Sequence, residues 1–497
     1  MARDPQGALV ALNRFGFGAR GGSSGDIVSA ASDPRGFVKS ELARVDGALL
    51  ELPGLQATPA LGQALFAYQL EVKVAREALK TAEAAAPTMD SKPDAKSDTK
   101  SDAMSSGNTV MTVQPDAPKP PVAQPPLNVV QKVFRAEALA RIQRATIVDG
   151  GFVERLVTFW SNHFCISANK GEPARIWAGS FEREAIRPFV LGKFGDMLRA
   201  VEQHPAMLFF LDNQQSIGPE SKAGQHGKRG LNENLAREIM ELHTLGVGSG
   251  YTQDDVTSLA RIITGWTFAG RDSKIGTPGS FIFNANAHEP GAQTLLGKSY
   301  DDTGVTQGEA ALADIARQPA TARFVATKFA QHFVADTPPP ALVAKLEAVF
   351  KKSDGDLKAL SLALVDSGEA WSAPLTKLRS PYEYLIAAGR ILARIPEDPG
   401  RYIGSLNTLG QPLWTPPGPN GFADSNAAWA APEGLKLRLD IAAQISSRIA
   451  DSMDARELLD VVAGQAASSE TRQTIARAET RQQALALLLM SPEFQRR

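Results

Sequence analysis

Glu233, Arg237, Glu238, Glu241 and His243 crowd one short stretch of the chain, and between them they hold the side chains that acid–base chemistry needs. The stretch runs from Leu231 to Trp266 and reads LNENLAREIMELHTLGVGSGYTQDDVTSLARIITGW. At about 100° per residue, Leu235, Ala236, Ile239, Leu242 and His243 share an apolar arc, with Glu233, Arg237 and Glu241 opposite. Those three charged residues follow one another at four-residue spacing. They read either as a solvated ion-pair ladder, worth about a few tenths of a kcal/mol per pair, or as carboxylates beside a substrate. Glu238 stands at the edge of the apolar arc, where partial burial raises a carboxyl pKa as a general acid requires. Its competing role is an ion pair with an arginine from another helix. His243 either assists that chemistry or bonds to carbonyls at the helix end. It points about 160° away from Glu241, so the helix lacks the two-ligand zinc face of H-E-x-x-H. No metal and no cofactor is implied.

Other candidates come from separate segments. Phe159-Trp-Ser-Asn-His-Phe164 sets Trp160, Asn162 and His163 among aromatics, which suits a carbohydrate or a core histidine equally. His288 lies in the most loop-like setting of the six histidines. Asp254 and Arg261 share a polar helix face two turns apart, facing either a cleft or solvent, and Trp266 opens a long irregular stretch. Cys165 reads as a buried, inert thiol. The glycines from Gly246 to Gly250 follow a helix rather than a strand, so they read as turn-formers and not as a phosphate loop.

The elements that must position these residues are helical. Apolar residues recur every third or fourth position over Val130 to Thr158, Phe181 to Val201 and Leu231 to Leu245, and in most segments after Glu309. Asp33 caps a helix through Ala43, and Thr252-Gln-Asp-Asp255 reads as a capping box. Strand signals are confined to Ile282 to Ala287 and Thr294 to Leu296, enough for one small hairpin. The fold expected is all-α: one large multi-helix domain with long irregular loops. Residues 1–83 supply N-terminal helices that pack on a main domain over 127–497. Residues 84–126, rich in Pro, Ser, Asp and Lys, form a disordered insertion that cannot offset its ordering entropy.

Composition narrows the function classes. Among 497 residues, 53 Lys and Arg against 54 Asp and Glu give a net charge of −1, which disfavours nucleic acid as a partner. A single cysteine excludes an intramolecular disulfide scaffold. No apolar run spans a bilayer, and the first residues carry no secretory signal. The expected location is soluble: cytoplasmic on that ground, or periplasmic through co-export.

Several of these segments also carry a resemblance. Arg14-Phe-Gly-Phe-Gly18, the Phe159 to Phe164 motif, the block from Asn232 to Gly246, Gly250-Tyr-Thr-Gln-Asp-Asp-Val256 and Thr264-Gly-Trp266 resemble the bacterial domain-of-unknown-function 1800 family. So do Pro319 to Arg323, Ser380-Pro-Tyr-Glu383 and the stretch from Gly410 to Trp429. His204 departs from the family pattern, which more usually has Asp before Pro205. The resemblance implies no defined activity. It does imply a neighbouring, exported, sulfatase-like protein as a partner and an envelope-associated role.

Two functions are therefore expected. The first is a hydrolase acting on a polysaccharide or other polar polymer. In it Glu238, Glu241, His163, His243 and His288 do the chemistry, and Arg14, Trp160, Asn162, Glu233, Arg237, Asp254, Arg261 and Trp266 hold the substrate. The alternative is a non-catalytic helical binding or assembly partner of the sulfatase-like protein.

Overall fold

Two glycines decide where the first long helical run breaks. The computed structural model describes residues 4–22, 24–44, 46–85, 126–226, 230–449 and 452–497. The insertion expected over 84–126 lies outside them, except for its first two residues and its last. In chain order, the helices that build and support the site are α1 (Thr58–Ala85), α2 (Val129–Ile147), α3 (Phe152–His163), α4 (Glu172–Phe181), α5 (Phe194–Glu202) and α6 (Asn234–Glu238). After them come α7 (Gln253–Ile262), α8 (Pro319–Phe333), α9 (Pro381–Ile391), α10 (Gly400–Thr408) and α11 (Pro432–Ile449). The run read as continuous from Val130 to Thr158 is thus two helices. Gly150 and Gly151 take φ of +50° and +99°, a left-handed conformation that side-chain-bearing residues resist, and the chain turns there. The Glu41 carboxyl then accepts from the amides of Gly151 and Phe152 and caps α3 from outside the helix.

The expected capping residues act as such. Asp33 accepts from the Gly36 amide ahead of Pro34–Leu42, and Thr252 and Asp255 close a capping box on α7. At the atypical position His204, Nδ1 accepts from the Ala206 amide, so the imidazole caps the following helix as an aspartate would. The second long run divides as well: α4 passes through a π-turn and a 3₁₀ turn containing Pro188 before α5 begins.

Two small antiparallel sheets replace the one hairpin expected. β1 (Trp266–Phe268) pairs with β2 (Phe281–Phe283), and β3 (Gln293–Leu295) pairs with β4 (Lys298–Tyr300). The separation follows from Leu296 and Gly297, at φ +52° and +77°, which turn the chain tightly back on itself after β3. No helix among the described residues is long and apolar enough to cross a membrane.

The N-terminal helices, α3, α5, α8 and α9 contribute to one continuous core. Within it lie seven almost wholly buried arginines: Arg14, Arg155, Arg187, Arg379, Arg390, Arg438 and Arg497. Many short helices leave many carbonyls unpaired at their C-terminal ends, and guanidinium forks fill that need. Arg390 donates to the carbonyls of Ala145 and Val148 at the end of α2. Arg14 donates to those of Ala370, Ala373 and Pro374. Arg497 donates to the His332 carbonyl near the end of α8 and to Glu383 at 2.8 Å.

His332 makes the core pH-sensitive. Its Nδ1 lies 2.6 Å from Asp424 Oδ2 and its Nε2 lies 3.2 Å from Arg155 Nη2. A guanidinium only donates, so Nε2 accepts, Nδ1–H faces the carboxylate, and the ring is neutral. Burial pushes this imidazole down to about 4, against the pull of Asp424 and with Arg497 and Arg155 close by. An imidazole that titrates near 6.5 when unfolded and near 4 when folded holds its proton more weakly in the folded protein. Stability is therefore lost as pH falls from about 6.5 to about 4, by about 3 kcal/mol for this residue. Urea midpoints measured across that range should fall accordingly, and His332→Gln should remove a large share of the fall. An unchanged pH dependence in the variant would contradict this origin.

Candidate active site

The last turn of the α6 segment is not α-helical. Ile239–His243 forms a π-turn, bonded i to i+5. In an α-helix residues 238 and 243 sit about 140° apart; the wider turn brings them toward one face. Glu238 is half-buried there and His243 is fully buried. Burial raises the Glu238 pKa; His243 draws it down and Glu241 pushes it up, which places both groups within electrostatic reach.

His243 is oriented from α5. Its Nδ1 lies 2.8 Å from Glu202 Oε1, where Nδ1–H donates to the carboxyl group and fixes the ring's orientation. The His243 carbonyl, freed at the helix end, lies 3.0 Å from His163 Nε2 and accepts its proton. His163 stands at the C-terminus of α3, and burial holds its pKa well below the usual imidazole value, so it is neutral. The two rings are 6.4 Å apart between centroids. His163 Nδ1, His243 Nε2 and Glu202 Oε2 are buried without a hydrogen-bond partner among the described residues. Such atoms are nearly always paired in folded proteins, and here three meet in one cluster.

α8 adds a cation. Lys328 Nζ sits 5.3 Å from the centre of the Phe324 ring one turn earlier and forms no ion pair with an acid among the described residues. Burial lowers its pKa to about 8, which leaves a substantial fraction as free amine in mild base. Lys328 and Glu238 both act on Cys165, which puts the three side chains in one neighbourhood. Cys165 itself is pushed up to about 12 by burial, with Sγ 3.3 Å from the Pro419 carbonyl, so it is a thiol and not a nucleophilic thiolate. The arrangement can store and pass a proton: Glu238 half-buried, His243 Nε2 without a partner among the described residues, and Glu202 steadying the imidazole.

The structure thus brings Glu238, His243 and His163 together, with Glu241 three residues along the same turn. It leaves other candidates elsewhere. Glu241 is held by Arg237 at 3.3 Å and by the Tyr251 hydroxyl. Glu233 accepts from Thr257, Gln253 and Arg237, so this ladder pins α6 to α7. His288 belongs to the sheet region, where Nδ1 lies 3.0 Å from the Thr264 carbonyl and Nε2 lies 3.5 Å from Asp302. Arg14 is occupied by its three carbonyls. Trp160 and Trp266 have no exposed surface and pack against rings of the core, Phe194 and Phe281 among them, so neither presents a face to a sugar. Asn162 exchanges two hydrogen bonds with the Phe422 backbone and ties the 409–429 loop to the end of α3. Asp254 is exposed on α7, and Arg261, on the same helix, is half-buried.

Glu202 and Lys328 escaped the sequence reading. A signal exists for each. Glu202 ends α5 at the negative pole of the helix, where a carboxylate is disfavoured unless a partner holds it. Lys328 falls midway between Phe324 and His332 at four-residue steps, on a helix rich in Ala and Phe. Among the described residues no group of three or more His, Cys, Asp or Glu side chains is arranged to hold a metal ion.

The chain matches, over residues 10–496, the family described as protein of unknown function (DUF1800), and it belongs to that family. No curated protein and no solved structure matches it.

Proposed function

We propose that this protein is a hydrolase in which Glu238 protonates the leaving oxygen of a polar polymer, with a polysaccharide as its substrate class. The observation that carries the reading is the half-buried Glu238 carboxyl, kept toward its protonated form by burial and within electrostatic reach of His243, whose buried Nε2 has no hydrogen-bond partner among the described residues. After each cycle the proton released by the attacking water returns to Glu238 by way of His243 Nε2, while Glu202 holds the ring through Nδ1–H. Glu241, steadied by Arg237, is the second carboxylate that glycoside hydrolysis uses, taking a proton from the attacking water as the leaving oxygen receives the Glu238 proton.

The test is the release of reducing ends from a panel of bacterial polysaccharides. Glu238→Gln keeps the shape of the side chain but cannot donate the proton, so kcat should fall by about 10²-fold with the melting temperature unchanged. Equal rates would remove Glu238 from the chemistry. Wild-type protein inactive on the whole panel, alone and with a sulfatase-like protein added, would instead favour the non-catalytic assembly role.

A further inference from the structure

A second feature shares no residue with the Glu238 cluster. Between α9, α10 and α11 lies a groove of about 700 Å³. Its walls include Leu385 and Leu392 from α9 and its end, and Ile441, Ile445 and Ile449 from α11. Ile441 and Ile445 recur at four-residue spacing with Ile449, so one stripe of α11 lines the groove along about two helical turns. That length of continuous apolar wall suits an extended hydrocarbon chain.

The groove is polar at defined points. Tyr402, on α10, lines it, and its hydroxyl has no hydrogen-bond partner among the described residues. A Cβ at Gly389 would collide with that hydroxyl, so the glycine in the last turn of α9 is what lets the phenol approach. Burial pushes the Tyr402 hydroxyl up to about 12, so it remains a donor at neutral pH.

The rim is cationic. Arg394, Arg401 and Arg448 are exposed at its edge, and none makes a side-chain hydrogen bond or ion pair among the described residues. Two acids stand nearby. Asp398 is taken by Arg135 at 2.5 Å, with Arg401 a weaker electrostatic neighbour, and Glu397 is exposed. Among the described residues three guanidinium groups thus face one uncommitted carboxylate, at the mouth of an apolar trough with a phenol donor inside it.

We infer that this groove binds a single-chain anionic amphiphile of the long-chain carboxylate class, with its hydrocarbon tail along α11 and its head group among Arg394, Arg401 and Arg448. The tail contacts explain the apolar stripe, and the head group explains arginines that have no acidic partner among the described residues. A neutral amphiphile satisfies only the first.

The full chain is titrated calorimetrically with hexadecanoate below its micellar concentration, with hexadecanol and butyrate as comparison probes. Hexadecanoate should bind with one-to-one stoichiometry, hexadecanol at least tenfold more weakly, and butyrate not measurably. Arg394→Glu combined with Arg448→Glu changes only exposed side chains, and it should weaken hexadecanoate tenfold or more with no change in melting temperature. Ile445→Trp, which fills the trough, should abolish binding. Equal affinity for acid and alcohol, binding unaltered by the double charge reversal, or no binding of hexadecanoate would each overturn the assignment.

Discussion

Arg187→Met is expected to cost 3 to 5 kcal/mol, approximately the range seen when one partner is removed from a buried ionic network. Arg187 is 1% exposed and bridges two carboxylates that are themselves buried. Its two terminal nitrogens lie 2.8 and 3.0 Å from the two oxygens of Glu154, its Nε lies 3.1 Å from Glu182, and it also donates to the Ala48 carbonyl. Methionine fills the space but leaves both acids short of a partner. Glu154 keeps only the longer Arg144 contact at 3.5 Å, and Glu182 keeps Arg141 at 2.9 Å. The loss spreads toward the site, because Glu154 lies on α3 and Glu182 accepts from Ser161 on the same helix. Guanidinium chloride unfolding should show the full loss, against a total stability of about 5 to 15 kcal/mol for an ordinary domain. Arg187→Lys should recover little, since an ammonium cannot span two carboxylates with a planar fork. A change below about 1 kcal/mol in the methionine variant would show that these contacts add little net stability.

His243→Asn should lower kcat by about 10³-fold in the polysaccharide assay, within the range that acid–base groups contribute. The asparagine amide can still donate to Glu202 but offers no basic nitrogen in place of Nε2. Folding should thus be largely kept while the proton store is lost. Glu202→Gln should lower kcat by about 10²-fold, because the imidazole loses the carboxylate that fixes its tautomer. The split between activity and stability carries the information. If activity and unfolding midpoint fall together in both variants, the pair is packing material and the chemistry lies elsewhere.

Much of the helical architecture was legible in the amino-acid order. The Asp33 and Thr252 caps, the amphipathic face of the Asn234 to His243 segment and the burial of His243 on its apolar side all follow from interactions three or four residues apart. The same locality limits the reading. A fixed 100° step sets Glu238 and His243 about 140° apart along the edges of the apolar arc, and the π-turn over Ile239–His243 narrows that separation. Near-neutral charge reads from sequence as acids and bases pairing within the same helices. That holds for Glu233, Arg237 and Glu241 on the surface, but buried pairs also form at long range: Arg187, besides its near neighbour Glu182, meets Glu154 33 residues away, and Arg497 meets Glu383 114 residues away.

Composition and periodicity by themselves determined that the chain is helical, nearly neutral and dependent on packing instead of disulfides. Those properties depend on residue type and on neighbours along the chain. Which carboxylate meets which imidazole, and which arginines leave the surface to close the ends of distant helices, only the tertiary structure decided. Taking a charge out of water is costly enough that its partner must come from wherever the packed core brings one within about 3 Å. That position is a property of the assembled helices, and no spacing along the sequence encodes it.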